Sequence, residues 1–262
     1  MFSTLTRCLG LLLLLSPAGY LQAQLADQDT ARWSGQLNQS FFLSQGNIDR
    51  LLYKADGQVR LVGNQLGFSQ DASYLYGTFG PFQTENDLLV RSFGYWQPRK
   101  RVYPYVMVWA ETVFRRRIDF RYVAGPGITW VALRKPGHVL KASATAGYEY
   151  ADYLNDRLRN LENPTEVVTV YRAIFRLFGQ HQLPGKLRLS YEGWYQMGLD
   201  LPNHYRLFGQ VGLQLPVTRT LSFRTDLSYQ YEHVVVRGFD QEDNYLTVGM
   251  SWKPQPKPKA TP

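Results

Sequence analysis

The chain has 262 residues, a formal net charge of +8 and a single cysteine. A basic balance raises nucleic acid as a partner, but the Lys and Arg residues stand singly along alternating segments, not in one block or helix, which argues against it. No apolar run beyond the N-terminus approaches the ~20 residues of a membrane-spanning helix, so any membrane role would fall to strands.

Arg7 precedes the apolar run Leu11–Leu15, followed by Ser16-Pro17-Ala18-Gly19 and Leu21-Gln22-Ala23. A basic start, an apolar centre and small residues before a polar stretch read as a secretory signal peptide over 1–23. Cys8 would leave with it, so the mature chain has neither a disulfide nor a thiol nucleophile to offer. The body is expected over 24–253. Residues 254–262, rich in Pro and Lys, read as a disordered tail.

From Trp33 onward apolar and polar residues alternate with period two, the signature of strands with one dry and one wet face. "LLYKADGQVRL" sets Leu51, Tyr53, Ala55, Gly57, Val59 and Leu61 against Lys54, Asp56, Gln58 and Arg60. "VLKASATAGYEY" and "KLRLSYEGWYQMGLD" repeat the pattern, the second with Trp194 as an exception on the polar face. Strands are predicted at 33–43, 50–62, 66–77, 87–96, 102–114, 118–132, 139–151, 166–178, 187–199, 204–215, 221–232 and 244–252. In 102–114 both faces are apolar, and Glu111 favours the valine face as outward. Pro104 and Pro126 are expected at strand ends or bulges.

The connections at 64–65, 134–137, 181–185 and 216–219 are short, whereas 78–86, 152–165 and 233–243 are long and polar, although 44–49, 115–117 and 200–203 on that same side are short. Tight turns at one rim and longer loops at the other describe an up-and-down transmembrane β-barrel of about 12 strands, all-β and antiparallel. The aromatics agree. Followed up and down the strands, outward tyrosines (among them Tyr148, Tyr150, Tyr195, Tyr229 and Tyr231) cluster near the loop rim. Outward tryptophans (Trp33, Trp96, Trp130, Trp252) cluster near the turn rim. Amphipathic rings at two fixed heights are what the two interfaces of a bilayer favour, and a protein core has no such preference.

The same parity points charged residues inward: Lys54, Arg60, Arg91, Arg121, Lys141, Arg172, Arg176, Arg188, Arg206 and Arg224, with Asp56, Asp71, Glu111, Asp119, Glu149, Glu192, Asp226 and Glu232. Isolated charges in a narrow lumen would be costly, so they are expected to pair across strands. Glu149 and Glu192 are the nearest candidates for Arg172 and Arg176. The lumen then reads either as a small, weakly anion-favouring pore or as a salt-bridged plug. An arginine at Thr145, which points into the lumen, should cost much less stability than one at Ala144 on the lipid side.

Several of these segments resemble one family. "WSGQLNQSFFLSQGN" (33–47), "TEND" (84–87), "FRYVAGPGITW" (120–130) and "ATAGYEY" (144–150) are similar to the salt-stress-induced outer-membrane proteins of Gram-negative bacteria, a domain family of unknown function. Ser44-Gln45-Gly46-Asn47, Arg121 with Gly125 and Gly127, and Gly147-Tyr148-Glu149 carry the likeness. It implies an outer-membrane barrel with no established activity. Pro126 and the Pro-rich tail depart from its pattern. The final strand "YLTVGMSW", with Thr247, Gly249 and Trp252, resembles the signal read by the barrel assembly machinery.

The sequence offers little for catalysis. His138 and His181 fall at the turn rim, His204 and His233 at the loop rim, and no two of them have metal-ligand spacing. His233 near Asp240, Glu242 and Asp243 would suit the acid–histidine pair of a surface hydrolase, and Asp240–Asp243, with three carboxylates in four residues, a calcium site. Acidic residues in a solvated loop are the more economical reading. No catalytic residue, metal ligand or cofactor is assigned. The expected protein is a monomeric structural envelope protein or narrow passive channel surrounded by outer-membrane lipid, linked to salt or osmotic stress by the resemblance. An outer-membrane hydrolase and a secreted lipid-binding barrel are the alternatives.

Overall fold

A computed structural model describes residues 33–46, 49–154, 157–161, 165–218 and 221–252. The expected signal peptide (1–23) and the tail (254–262) lie outside the described residues. The strands are β1 (Trp33–Ser44), β2 (Arg50–Val62), β3 (Leu66–Phe79), β4 (Phe82–Trp96), β5 (Val102–Val113), β6 (Ile118–Lys135), β7 (His138–Tyr153), β8 (Leu158–Arg159), β9 (Val167–Gln182), β10 (Arg188–Gly198), β11 (Tyr205–Pro216), β12 (Leu221–Glu232), β13 (Val235–Val236) and β14 (Glu242–Trp252). Twelve of them form one antiparallel sheet in sequence order, while β8 and β13 pair only with each other. β14 returns to lie beside β1, so the sheet curls into a nearly closed up-and-down barrel of transmembrane type.

Alternation sets the register, because slipping by one residue would turn every side chain to the wrong face. On β7 the odd positions Val139, Lys141, Ser143, Thr145 and Glu149 are buried, whereas Ala144, Ala146 and Tyr148 look outward. On β5, Tyr103, Tyr105 and Met107 point in and Val102, Val106 and Val108 point out, as Glu111 indicated. The outer surface carries Val59, Leu61, Val106, Val108, Ile128, Phe175, Leu177, Val211, Leu227 and Val248, all exposed. That continuous apolar surface is one a water-soluble monomer would not keep open.

Three expectations need correction. Residues 78–86 are not a loop. The ladder runs on through Phe79 and Phe82 and turns at Gly80-Pro81, with one bulge at Gly77/Thr78. Their polarity misled, since above the apolar band a strand can be polar on both faces. Asp119 does not enter the lumen either. A bulge between Ile118 and Phe120 spends one residue, so Ile118 and Arg121 are buried and Asp119 is exposed. Finally, Pro126 marks neither an end nor a bulge. It pairs with Val106, and on the β7 side the register continues past Gly125 and Pro126, which are left out of the ladder. Proline has no N–H to give there, and a Cβ on Gly125 would run into the Ala146 carbonyl, so glycine lets the two strands close up.

Candidate functional site

The outward girdle tyrosines and tryptophans occupy two levels. Tyr148, Tyr195 and Tyr229 are exposed toward the loop rim, while Tyr150 and Tyr231 are half-buried because they stack on Tyr122 and Tyr205, with ring centroids 5.7 Å apart in each case. Trp96 and Trp130 are exposed toward the turn rim. In backbone register, Trp33 and Trp252 end their strands at that same rim, opposite Leu61 and Leu221.

The interior is filled, in two layers beneath a cap. Toward the turn rim lies an apolar and aromatic cluster of Phe93, Tyr95, Tyr103, Tyr105, Met107, Val131 and Trp194, with Trp109 and Phe208 packed against it. Tyr95 bonds the Ser69 hydroxyl at 3.1 Å, and Tyr105 bonds Thr145. Lys141, fully buried, lies 5.9 Å from the centre of the Tyr103 ring. Period-two reasoning sorted these rings by face but did not foresee that inward aromatics would form a core. Trp194, the exception in its own strand's alternation, was the visible signal.

Above this lie the charges, and they are joined. Arg116, in the short helical turn Phe114–Arg116, reaches Asp243 at 2.6 Å and Glu232 at 3.4 Å. Arg121 grips Glu232 through both terminal nitrogens, at 2.9 and 2.8 Å, and also pairs with Glu111. Arg206 touches Glu111 at 3.9 Å and pairs with Glu149, which in turn holds Arg172 at 2.6 and 2.8 Å. The remaining nitrogen of Arg172 donates to the His204 carbonyl at 2.9 Å. One ionic chain thus crosses the interior from β14 to β9. Four of its members are 0–1% exposed: Arg121, Arg172, Glu149 and Glu232. A second group joins Asp71, Arg91, Glu192 and Arg176, and Arg176 lies 4.4 Å over the Trp194 ring. The expected partners of Arg172 and Arg176 are therefore the ones they have.

The other inward charges are more peripheral. Asp56 accepts from Ser73 at 2.7 Å and faces Lys54, whose side chain is 39% exposed. Arg224 pairs with its neighbour two residues on, Asp226, while Arg60 is buried and Arg188 half-buried.

The long connections close the loop rim. Leu158 of β8 and Val234 and Val236 around β13 turn inward onto Ile118, Ala151, Tyr153, Val168 and Val170, an apolar cap over the charged layer. Asn160 fastens it by donating to the His233 carbonyl at 2.8 Å. Residues 233–243 read as polar in sequence, yet Val234-Val235-Val236 is an apolar triplet that no solvated loop requires.

His204, in the connection between β10 and β11, is 1% exposed, and neither ring nitrogen has a hydrogen-bond partner among the described residues. Burial, reinforced by Arg172 and Arg121 and opposed by Glu232, holds its imidazole well below the ordinary histidine value of 6.5. The folded barrel therefore keeps this ring neutral while the unfolded chain protonates it, so the unfolded state binds more protons below pH 6.5. Stability from this site is complete above pH 6.5 and declines as pH falls, by up to about 1.4 kcal/mol per unit. Denaturant unfolding of the refolded protein at pH 7.5, 6 and 5 is expected to show this slope in the wild type. His204→Phe should flatten that part of it. An identical slope in both would assign the pH dependence elsewhere.

His233 does not form an acid–histidine pair. Its ring stacks on Tyr205 at 4.7 Å and Nδ1 faces the Tyr231 hydroxyl at 3.2 Å. Asp243 is taken by Arg115 and Arg116, and Glu242 accepts from Tyr229 at 3.3 Å, so the acidic stretch is pulled apart instead of converging on a cation. Among the described residues no group of three or more His, Cys, Asp or Glu is arranged to hold a metal.

A family model described as "Protein of unknown function, DUF481" matches residues 37–253. Similar solved structures include the NanC porin, at 13% identity and a TM-score of 0.49, covering 85% of this chain and 100% of that one. Another is the translocator domain of the autotransporter NalP from Neisseria meningitidis, at 12% identity and 0.43, covering 87% and 90%. A third is a Pseudomonas aeruginosa FadL homologue, at 12% and 0.35, covering 88% and 74%. No curated protein matches in sequence.

Proposed function

Because the chain belongs to the DUF481 family, whose function is unknown, we propose a role from its own residues: a monomeric outer-membrane barrel, closed at rest, that serves as a structural envelope protein or a tightly gated passive channel. The observation that carries this is the ionic chain from Asp243 to Arg172, buried between an aromatic layer and an apolar cap. Of the two lumen readings, the plug is the better supported. A barrel of this strand number lies between filled eight-stranded barrels and water-filled porins of about 16–18 strands, and here side chains fill it.

Membrane lipid as its surroundings is supported by the exposed aliphatic wall and by the two levels of aromatics. The turn rim carries Arg99, Lys100, Arg101, Arg134, Lys135 and Lys186, and no acid stands in its described turns. Such a rim suits the anionic headgroups of a phospholipid leaflet. Assembly through the barrel machinery rests on the pattern of the last strand. A role in salt or osmotic stress rests on the resemblance of 33–47, 84–87, 120–130 and 144–150.

The test combines fractionation with planar-bilayer recording. The expected protein sediments with outer membrane, shows heat-modifiable gel mobility, and gives no steady current at low voltage. Recovery as a soluble periplasmic protein would overturn the membrane reading. A steady ohmic conductance of porin size would overturn closure while leaving the barrel intact.

A further inference from the structure

The histidines offered no metal-ligand spacing along the chain, yet the barrel register brings two of them together. His138 opens β7 and His181 stands one residue before the end of β9, and the two are direct cross-strand partners. Both fall on the outward parity of their strands, at the turn rim, and both are half-exposed. Their Nδ1 atoms face each other at 3.3 Å across a sequence separation of 43. Two nitrogens that each sit about 2.0–2.1 Å from one tetrahedral zinc ion stand about 3.3–3.4 Å apart. The rings therefore already hold the separation that a single ion requires.

The surroundings supply the second condition. A metal-binding histidine is normally oriented by a hydrogen bond from its other ring nitrogen. His181 has this bond, since its Nε2 meets the Tyr191 hydroxyl at 3.1 Å. Tyr191 is held there by packing: its ring covers Gly179, where a Cβ would strike it. When Nε2–H of His181 donates to Tyr191, Nδ1 keeps a free lone pair aimed at His138. In that tautomer the gap between the rings is filled, in the metal-free protein, by Nδ1–H of His138. An entering cation takes its place, and that proton moves to His138 Nε2, leaving both imidazoles neutral and no proton released overall.

The geometry points to a surface site for a borderline divalent transition-metal ion of the zinc class, ligated by Nδ1 of His138 and Nδ1 of His181 and completed by water. Imidazole ligands favour such ions over magnesium or calcium. The site is independent of whether the barrel conducts.

Calorimetric titration of tag-free, detergent-refolded protein with Zn2+, and separately with Mg2+, tests this. One saturable Zn2+ site and no Mg2+ site are expected. His138→Asn and His181→Asn should each weaken Zn2+ binding at least a hundredfold, whereas His204→Asn and His233→Asn should leave it unchanged. Tyr191→Phe keeps both ligands and loses only the orienting bond, so an intermediate loss of about tenfold is expected. Retained heat-modifiable mobility would show that the variants fold. Should either asparagine variant fail to fold, the wild-type ring resonances decide: Zn2+ should shift those of two histidines and leave the other two in place. Zn2+ binding unaffected by both substitutions, shifts at all four histidines alike, or no saturable site in the wild type would overturn the proposal.

Discussion

Ala144→Arg is expected to lower the unfolding free energy of the refolded barrel by about 2–4 kcal/mol, the cost of a cationic side chain at the middle of a bilayer. Ala144 lies midway along the outward face of β7, between the histidine at the turn rim and the girdle residues Tyr148 and Tyr150, and pairs with exposed Ile128 and Phe175. Ala146 lies two residues, about 7 Å, nearer the loop rim. Ala146→Arg should cost less, because the penalty falls toward about 0–1 kcal/mol at the interface. Reversible unfolding in lipid vesicles reads both. A barrel with Ala144→Arg that is as stable as the wild type would mean that this face meets water. Thr145→Arg is no longer the mild control that a wet lumen would make it. Thr145 is 5% exposed, bonded to Tyr105 and opposite buried Ile174, so an arginine there overpacks the aromatic layer and is itself costly.

That reversal marks how far the sequence could be read. All the barrel strands and the two faces of nearly every one were legible, because period-two alternation is a local property of the chain. The parity of β6 failed only at the bulge between Ile118 and Phe120, where the extra residue that displaces Asp119 leaves no mark in the sequence. What lies inside was legible only in part. The pairs Arg172–Glu149 and Arg176–Glu192 join neighbouring strands, and sequence order brings those within reach. Arg121–Glu232 and Arg206–Glu149 cross the lumen, and the shear that aligns β6 with β12 is a property of the closed barrel alone. The same holds for β8 and β13, each two residues long and too short to show a period. The His138–His181 pair needed the register of β7 against β9, which the sequence fixes only to within a few residues at the strand ends.

The joint replacement Arg172→Ser with Arg176→Ser is the most consequential test of closure. Breaking one buried ion pair from one side costs about 3–5 kcal/mol, because it strands the other charge away from water. Here both acids keep a second partner: Glu149 retains Arg206, and Glu192 retains Arg91 at 3.7 Å. The loss per site should therefore fall at the lower end, and the double variant should still be several kcal/mol less stable. Serine also empties volume that the two guanidiniums occupied, one beside the His204 carbonyl and the other over Trp194. Polar walls around such a space admit water. Conductance in planar bilayers is accordingly expected to rise above that of the wild type, and the opened path should favour cations, since two basic charges have gone and the acids remain. Arg172→Met with Arg176→Met separates volume from charge. It removes the same two cations but refills the space with apolar side chains, so it should lose stability and stay closed. Equal conductance in the serine and methionine doubles would mean that the charges, not the filling, keep the barrel shut. A serine double that matches the wild type in conductance, selectivity and melting would remove the ionic layer from any role in closure and leave the aromatic layer and the cap as the barrier.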